Sequence, residues 1–300
     1  MIETKHIPVL LNETMKLLEP KSGEVFIDCT FGGGGHSGKI LDKIGANGRL
    51  LAIDWNLEAI NKCKLYAKEF HHLECLNANF ADLLHITQKI NFPKADGLLI
   101  DLGISSDELE NSGRGFSFQK NEPLFMTFSN NEKPVRTILK ELKVKELEKI
   151  IKDFGGERYA GRIAAAIKET LKKHPIETTL DLASVIMRTV PTNYEHQRIH
   201  PATRTFMALR IYANKELENL EKVLGNVIKV MNVGGRVAVI SFHSLEDRIV
   251  KNYFRNLNKD GLAEILTKKP LEPSEEEKLS NPRSRSSKLR AIKIKNHDGI

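Results

Sequence analysis

Short apolar runs that end in an acid recur through the first hundred residues, separated by stretches of helical spacing. Residues 25–28 rise to Asp28, glycines follow at once, and 37–44 has a helical pattern. A second run over 50–53 stops at Asp54, and 57–70 then places Ile60, Cys63 and Ala67 on one helical face. A weaker strand over 73–76 precedes Asn79 and Phe80, and a clear one over 97–101 ends at Asp101. Strands and helices alternating in this way predict a parallel sheet with helices on both faces.

The pattern changes after Leu102. Residues 105–135 are polar and irregular, and helical periodicity then dominates 135–151, 159–173 and 180–188, with Pro175 and Pro191 as breaks. After Pro201 a single stripe of Phe206, Leu209, Ala213, Leu217, Leu220, Leu224, Val227 and Met231 predicts one long helix, stopped by Gly234-Gly235. Residues 236–242 read as a buried strand. Ser244-x-x-Asp247 resembles a capping box that opens a helix over 245–255. A charged loop over 258–282 leads to a basic terminal strand near 289–293. The simplest architecture is one α/β sheet, built from 1–109 and 211–300, whose chain is interrupted by a mainly helical insertion at 110–210 and returns to the same sheet at 236–242.

Composition narrows the picture less than pattern does. The 300 residues carry 46 Lys and Arg against 39 Asp and Glu, a net charge of +7, which permits a polyanionic partner without requiring one. The three cysteines include no C-x-x-C pair, so neither a disulfide framework nor a zinc site is expected. His71 and His72 read as a surface pair with no carboxylate or cysteine to complete a ligand set, and no metal is expected. The first residues contain no apolar signal region, and no run of 18 apolar residues occurs, so the expectation is a cytoplasmic protein without a membrane span.

Candidate chemistry centres on the turn after the first strand. Glycines there let a ligand approach the backbone and the amides of the following helix. The residues leave three ligand classes open. Gly33-x-Gly35-x-x-Gly38 with Asp54 downstream satisfies a dinucleotide fingerprint. Gly33 through Lys39 approaches a phosphate loop, but Ile40 stands where a magnesium-binding Ser or Thr belongs. Asp28-x-x-x-Gly32-x-Gly34 fits S-adenosylmethionine, with Asp28 receiving its ammonium and Asp54 both ribose hydroxyls. An acid at Asp28 repels a pyrophosphate and so favours the last class. Phe80 offers an aromatic face for adenine, or is core, and Trp55 is open to the same two readings.

Ligands of open α/β sheets bind beyond the carboxyl ends of the strands, where Asp101-Leu102-Gly103-Ile104-Ser105-Ser106 falls. Asp101 there either accepts from an acceptor amine as charge develops, or caps its strand and orients the cofactor. Arg114-Gly115-Phe116-Ser117-Phe118 combines a cation for phosphate with two aromatics for base stacking, or folds its rings into the helical insertion. The basic C-terminal residues Arg283, Arg285, Lys288, Arg290, Lys293 and Lys295 either contact a nucleic-acid backbone or form a solvated edge.

These segments resemble, in order along the chain, the RsmH (MraW) family. So do His6-Ile7-Pro8-Val9-Leu10-Leu11, Phe31-Gly32-Gly33-Gly34-Gly35-His36-Ser37, Pro201-Ala202-Thr203-Arg204-Thr205-Phe206, Ile240-Ser241-Phe242-His243-Ser244-Leu245-Glu246-Asp247-Arg248 and Asn281-Pro282-Arg283-Ser284-Arg285-Ser286. The resemblance implies a class I methyltransferase (Rossmann-like) fold with an inserted, mainly helical substrate-recognition domain. It implies N4-methylation of a cytidine in the decoding region of small-subunit (16S) ribosomal RNA, with S-adenosylmethionine as donor. Either naked RNA or the assembled small subunit is then the partner, and a homodimer is left open. The family's cofactor contacts carry over to Gly34, Gly35, His36, Asp54, Phe80 and Asp101. A further contact is a Gln in the family and Glu108 here, which accepts the same hydrogen bonds but cannot donate the amide one.

A second departure is larger. Where the family usually reads Gly-Pro-Leu-Asp-Met-Arg-Met-Asp, this chain has Glu122-Pro123-Leu124-Phe125-Met126-Thr127-Phe128-Ser129. If that loop shapes an acceptor pocket, the departure points to a methyltransferase with a different RNA, DNA or protein acceptor. A divergent orthologue with the same target is the other reading, and the non-enzyme alternative is a cofactor-binding ribosome assembly factor without turnover.

Overall fold

A computed structural model of the chain describes residues 8–105, 109, 112–194 and 199–295. The chain divides into two compact units, residues 1–103 with 217–300, and residues 104–216.

The first unit is built on a seven-stranded sheet of order β3-β2-β1-β4-β5-β7-β6. The strands are β1 (Val25–Asp28), β2 (Arg49–Asp54), β3 (Leu73–Asn77), β4 (Ala95–Asp101), β5 (Met231–Ser241), β6 (Ala263–Ile265) and β7 (Lys288–Ile294). The first five run parallel, with Gly97–Asp101 opposite Arg236–Ile240 between β4 and β5. The basic β7 turns back antiparallel against β5, and β6 pairs antiparallel with it. The order climbs outward from β1 on both sides, so the sheet's switch point lies between β1 and β4, where ligands of such sheets bind. Helices α1 (Leu11–Leu18), α2 (Gly35–Ile44), α3 (Leu57–Tyr66) and α4 (Leu83–Lys89) belong to this unit. Two apolar clusters fill it, one around Phe26, Ile40, Leu50 and Ile240, the other around Ile27, Leu98, Val239 and Ile292.

The second unit carries α5 (Val135–Glu141), α6 (Val144–Gly155), α7 (Ala160–Lys173), α8 (Thr179–Thr189) and α9 (Ala202–Asn214). Leu139, Leu147, Ile163, Ile167, Leu182 and Leu209 form its core. The helix expected over 135–151 is two helices, because Leu142 and Lys143 are extended and the Glu146 side chain caps the second at Lys143.

Four further expectations are corrected. The long helix after Pro201 breaks at Lys215, a left-handed C-cap (φ 51°), and the chain continues as α10 (Glu216–Leu224) and α11 (Val227–Val230). Gly234 and Gly235 lie inside β5 rather than ending a helix. The capping box of α12 (Ser244–Lys259) is His243 with Glu246, one residue earlier than Ser244 with Asp247. The charged loop expected over 258–282 holds β6 and a short α13 (Glu275–Ser280).

The cysteine expectation is overturned as well. Cys63 on α3 and Cys75 on β3 are joined by a disulfide, with Cα atoms 6.0 Å apart. The buried face of α3 lies over the edge of the sheet, and that crossover brings together two residues whose sequence spacing carries no pairing signal. Cys29 is a buried free thiol, and burial followed by the Asp28 carboxylate pushes it well above its ordinary pKa. Among the described residues no helix is long and apolar enough to cross a membrane.

Candidate functional site

The carboxyl ends of β1, β2 and β4 converge on the glycine turn. After Asp28 the chain stays bonded to the strands on both sides of β1: the Cys29 amide donates to Leu99 O at 2.9 Å and the Phe31 amide to Ile53 O at 3.0 Å. Gly34 caps α2 at φ 81°, a backbone geometry that side chains with a Cβ seldom take, and its amide closes the turn onto Phe31 O at 2.8 Å. Gly35 begins the helix, with His36 and Ser37 buried in its first turn.

Asp54 ties the turn to β2. Its Oδ2 accepts from the Gly32 amide and its Oδ1 from the Asn56 amide, both at 2.8 Å. Asn56 in turn caps α3. From β3, the Asn77 side chain donates to the carbonyls of Asp54 and Trp55 at 3.0 Å each, and the Ala78 amide to Asp54 O at 3.0 Å. Phe80 follows, half-buried, as the first residue of a short 3-10 turn (Phe80–Asp82) whose cap is Asn79.

Asp101 closes the site from β4. Its amide donates to Thr30 Oγ1 at 2.7 Å, and its Oδ2 lies 3.6 Å from His36 Nδ1. Its Oδ1 is buried without a hydrogen-bond partner among the described residues. Burial, then the nearby Asp28 and Glu246 carboxylates, hold its pKa well above the ordinary carboxylate range.

Asp28 does not do what its place in the pattern predicts. It is 1% exposed, with Oδ1 accepting from the Thr30 amide at 3.0 Å and Oδ2 from Ser37 Oγ at 2.6 Å. The acid faces inward and fixes the turn rather than presenting itself to a ligand, and burial raises its pKa against the lowering effect of Ser37 and Thr30.

The structure thus gathers Gly34, Gly35, His36, Asp54, Phe80 and Asp101 in one unit around the switch point. Glu108 lies outside the described residues. Thr30, Ser37, Asn56 and Asn77 also shape the site. Of these only Asn56 was legible in principle, as a helix cap two residues after an acid.

Arg114, Phe116 and Phe118 sit in the other unit, and two of them are corrected. Arg114 donates to Thr127 O at 2.6 Å, Thr127 Oγ1 at 2.9 Å, Ser129 O at 3.0 Å and Asn130 Oδ1 at 2.5 Å, so its guanidinium clamps a loop. Phe116 is buried core, stacked on Phe128 with centroids 5.3 Å apart. Phe118 is only half-buried and stacks on the exposed His200 at 4.5 Å. The unusual segment 122–129 is part of the same packing: Leu124, Met126 and Thr127 are buried, and Asn214 accepts from the Phe128 amide and donates to Met126 O. Of the positions that depart from the family pattern, Thr127 is buried and with Ser129 receives Arg114, while the half-buried Phe128 stacks on Phe116. In the C-terminal basic cluster, Arg290 is also corrected: it is buried in a two-point pair with Asp247 at 2.7 and 3.2 Å.

The comparisons with known proteins extend along the whole chain. The model of the MraW methylase family matches residues 3–295. A protein of Clostridium botulinum (strain 657 / Type Ba4) named ribosomal RNA small subunit methyltransferase H is 40% identical over 97% of this chain and 99% of its own length. Proteins of the same name from Trichlorobacter lovleyi and Halothermothrix orenii are 42% and 40% identical, over 97% and 95% of this chain and 98% and 97% of theirs. The matched residues span both compact units, and the mostly parallel sheet is the class I methyltransferase fold that the resemblance implied. The chain belongs to the MraW methylase family.

Proposed function

We propose that this protein transfers a methyl group from S-adenosylmethionine to the exocyclic N4 of a cytidine in the decoding region of small-subunit ribosomal RNA, in the cytoplasm. The observation that carries the reading is the acidic rim of the glycine turn in a chain about 40% identical, over its whole length, to small-subunit ribosomal RNA methyltransferases. The Asp54 and Asp101 carboxyls beside the turn suit a donor that carries a sulfonium and an ammonium, and oppose a pyrophosphate.

The residues present fit that donor. Asp54, aimed by two backbone amides, receives the ribose hydroxyls, and Phe80 offers its half-buried ring to adenine. The amides of Gly34 and Gly35 border the amino-acid portion, and the unpartnered Oδ1 of Asp101 is an acceptor for its ammonium or for the acceptor amine. Bound S-adenosylmethionine supplies an electrophilic methyl group, and the protein's part is to align the attacking nitrogen and to receive its proton. The helical insertion serves substrate recognition, and its surface contact is Phe118 with His200 rather than Phe116.

The test is transfer of labelled methyl from S-adenosylmethionine to purified small subunits and to naked ribosomal RNA, followed by nucleoside mass spectrometry. N4-methylcytidine is expected. A different labelled nucleoside, or no transfer to either, overturns the reading. Calorimetry with S-adenosylmethionine and with NAD checks the donor separately, and binding of NAD alone would end it.

A further inference from the structure

The chain just before α1 folds back over the glycine turn. Pro8 rests on Gly35, where a Cβ would lie 2.4 Å from the proline ring, so only glycine fits beneath it. Val9 turns its carbonyl oxygen to His36 Nε2 at 3.1 Å, and the imidazole donates because a carbonyl only accepts. Leu10 then adopts the left-handed conformation, φ 52° and ψ 35°, immediately before the helix. A side chain with a Cβ seldom enters that region, and it stays there only where its surroundings hold it. The Leu10 side chain is fully buried, and its amide donates to Glu277 Oε1 at 2.8 Å, across 267 positions of sequence.

Glu277 lies in the first turn of α13, which Ser274 caps by accepting from the Glu277 amide at 3.1 Å. In a Ser-x-x-Glu start of this kind the glutamate side chain ordinarily turns back to the amide of the capping residue. Here its Oε1 receives Leu10. Behind it the chain is braced step by step. The Asn281 amide donates to Glu277 O at 2.7 Å, Ser284 to Asn281 O at 2.9 Å and Ser287 to Ser284 O at 2.8 Å, and β7 begins at Lys288. The carboxylate is thus presented from a segment that runs directly into the sheet, and the residues before α1 are what it holds.

We propose that Glu277 is a positioning residue for the methyl donor. By accepting from the Leu10 amide it fixes the left-handed turn that aims Val9 at His36 and lays Pro8 on Gly35. The start of α2, whose amides border the donor, is thereby held from a helix near the other end of the sequence. This rests on the reading of Gly34 and Gly35 as donor contacts given above. Glu277 touches no reacting atom, and its contribution is preorganisation. Without the acceptor, Leu10 relaxes to a commoner backbone conformation, and donor binding has to restore the turn at a cost in affinity.

Affinity separates this role from that of a staple between the chain ends. The full-length protein is titrated calorimetrically with S-adenosylmethionine, and its thermal midpoint is read without ligand. Glu277→Ala is expected to weaken binding about tenfold, the scale of one hydrogen bond to a charged group. Glu277→Gln keeps an oxygen for the Leu10 amide and is expected to stay within about threefold of wild type. Glu275→Ala removes an exposed carboxylate, paired with Lys278, from the same helix and is expected to bind as wild type does. A lower midpoint with an unchanged dissociation constant in Glu277→Ala makes Glu277 a structural staple and overturns the proposal. The wild-type protein gives a second measurement should Glu277→Ala not fold. Coupling is reciprocal, so saturating S-adenosylmethionine is expected to slow hydrogen exchange at the Leu10 amide by a larger factor than at the Glu19 amide, which bonds to Met15 O at the far end of α1. Equal slowing at both amides overturns the proposal as well. If wild type does not bind S-adenosylmethionine, the donor reading fails and this proposal with it. If wild type binds and Glu277→Ala binds equally tightly, the donor reading stands and only the part given to Glu277 falls.

Discussion

Asp54 holds the glycine turn and the start of α3 together through one carboxylate. Its two oxygens fix the amides of Gly32 and Asn56, which orient the carboxylate toward the mouth of the turn. Removing a charge-assisted acceptor of this kind costs about 1.5–3 kcal/mol, so Asp54→Ala should weaken S-adenosylmethionine binding roughly 10- to 100-fold by calorimetry. An unchanged dissociation constant would remove Asp54 from the site. Gly97 acts through space alone. A Cβ there would lie 2.0 Å from the Phe26 ring, on the neighbouring strand, with both strands fixed by the sheet. Gly97→Ala should therefore lower stability by at least about 1–3 kcal/mol, read as a reduced urea midpoint at unchanged slope. Neither effect depends on the acceptor. The residue scale was also where sequence spoke least clearly: Arg114, Phe116 and Arg290 look like nucleic-acid contacts as residue types, and the fold uses them as a loop clamp, a core ring and a buried ion pair.

Among the elements, the α3–β3 pair carries the one bridge between cysteines. It stands between two segments that border the glycine turn, Asp54–Asn56 before α3 and Asn77–Phe80 after β3. A disulfide closing a loop this short contributes about 3 kcal/mol in the chain-entropy account. The thermal midpoint should fall when reductant is added to the wild-type protein and should not respond in Cys63→Ala. Equal midpoints with and without reductant would show the bridge to be energetically silent. The elements themselves were largely legible. Each parallel strand ends in an acid or a turn residue, and that punctuation located β1, β2 and β4 to within two residues. The failures share a cause. The stripe from Phe206 to Met231 is continuous in sequence, and the break at Lys215 comes from tertiary hydrogen bonds: Asn214 is bound to Met126 and Phe128, and Arg210 pairs with Glu216 at 2.8 and 2.9 Å. Periodicity reports which face is apolar and carries no trace of a partner 88 residues away.

For the whole molecule, the buried acids at the switch point set a balance between function and stability. Asp28 and Asp101 have folded-state pKa values above the ordinary 3.8, so the folded protein binds their protons more tightly than the unfolded chain does. Stability from these groups is thus present at acid pH and is lost as pH rises through the raised values. Among the described residues, Asp28, Glu246 and His36 lie near Asp101, and neutralising the carboxyl removes its repulsion with the first two. Asp101→Asn should therefore melt at a higher temperature than wild type at about pH 8, with the gain shrinking as pH falls toward the ordinary carboxylate range. A variant less stable than wild type at every pH would show that the acid is structurally required.

The return of the chain to β5 beside β4 has a practical meaning. The two strands are hydrogen-bonded along Gly97–Asp101 and Arg236–Ile240, yet they come from polypeptide on opposite sides of the insertion. A backbone cut anywhere within the insertion would yield an amino-terminal piece with β1 to β4 and a carboxy-terminal piece with β5 to β7, each ending in an open sheet edge that only the other completes. Two such fragments, made separately and mixed, are a natural complementation pair, and their rejoining would report on sheet assembly in living cells without any fused tag.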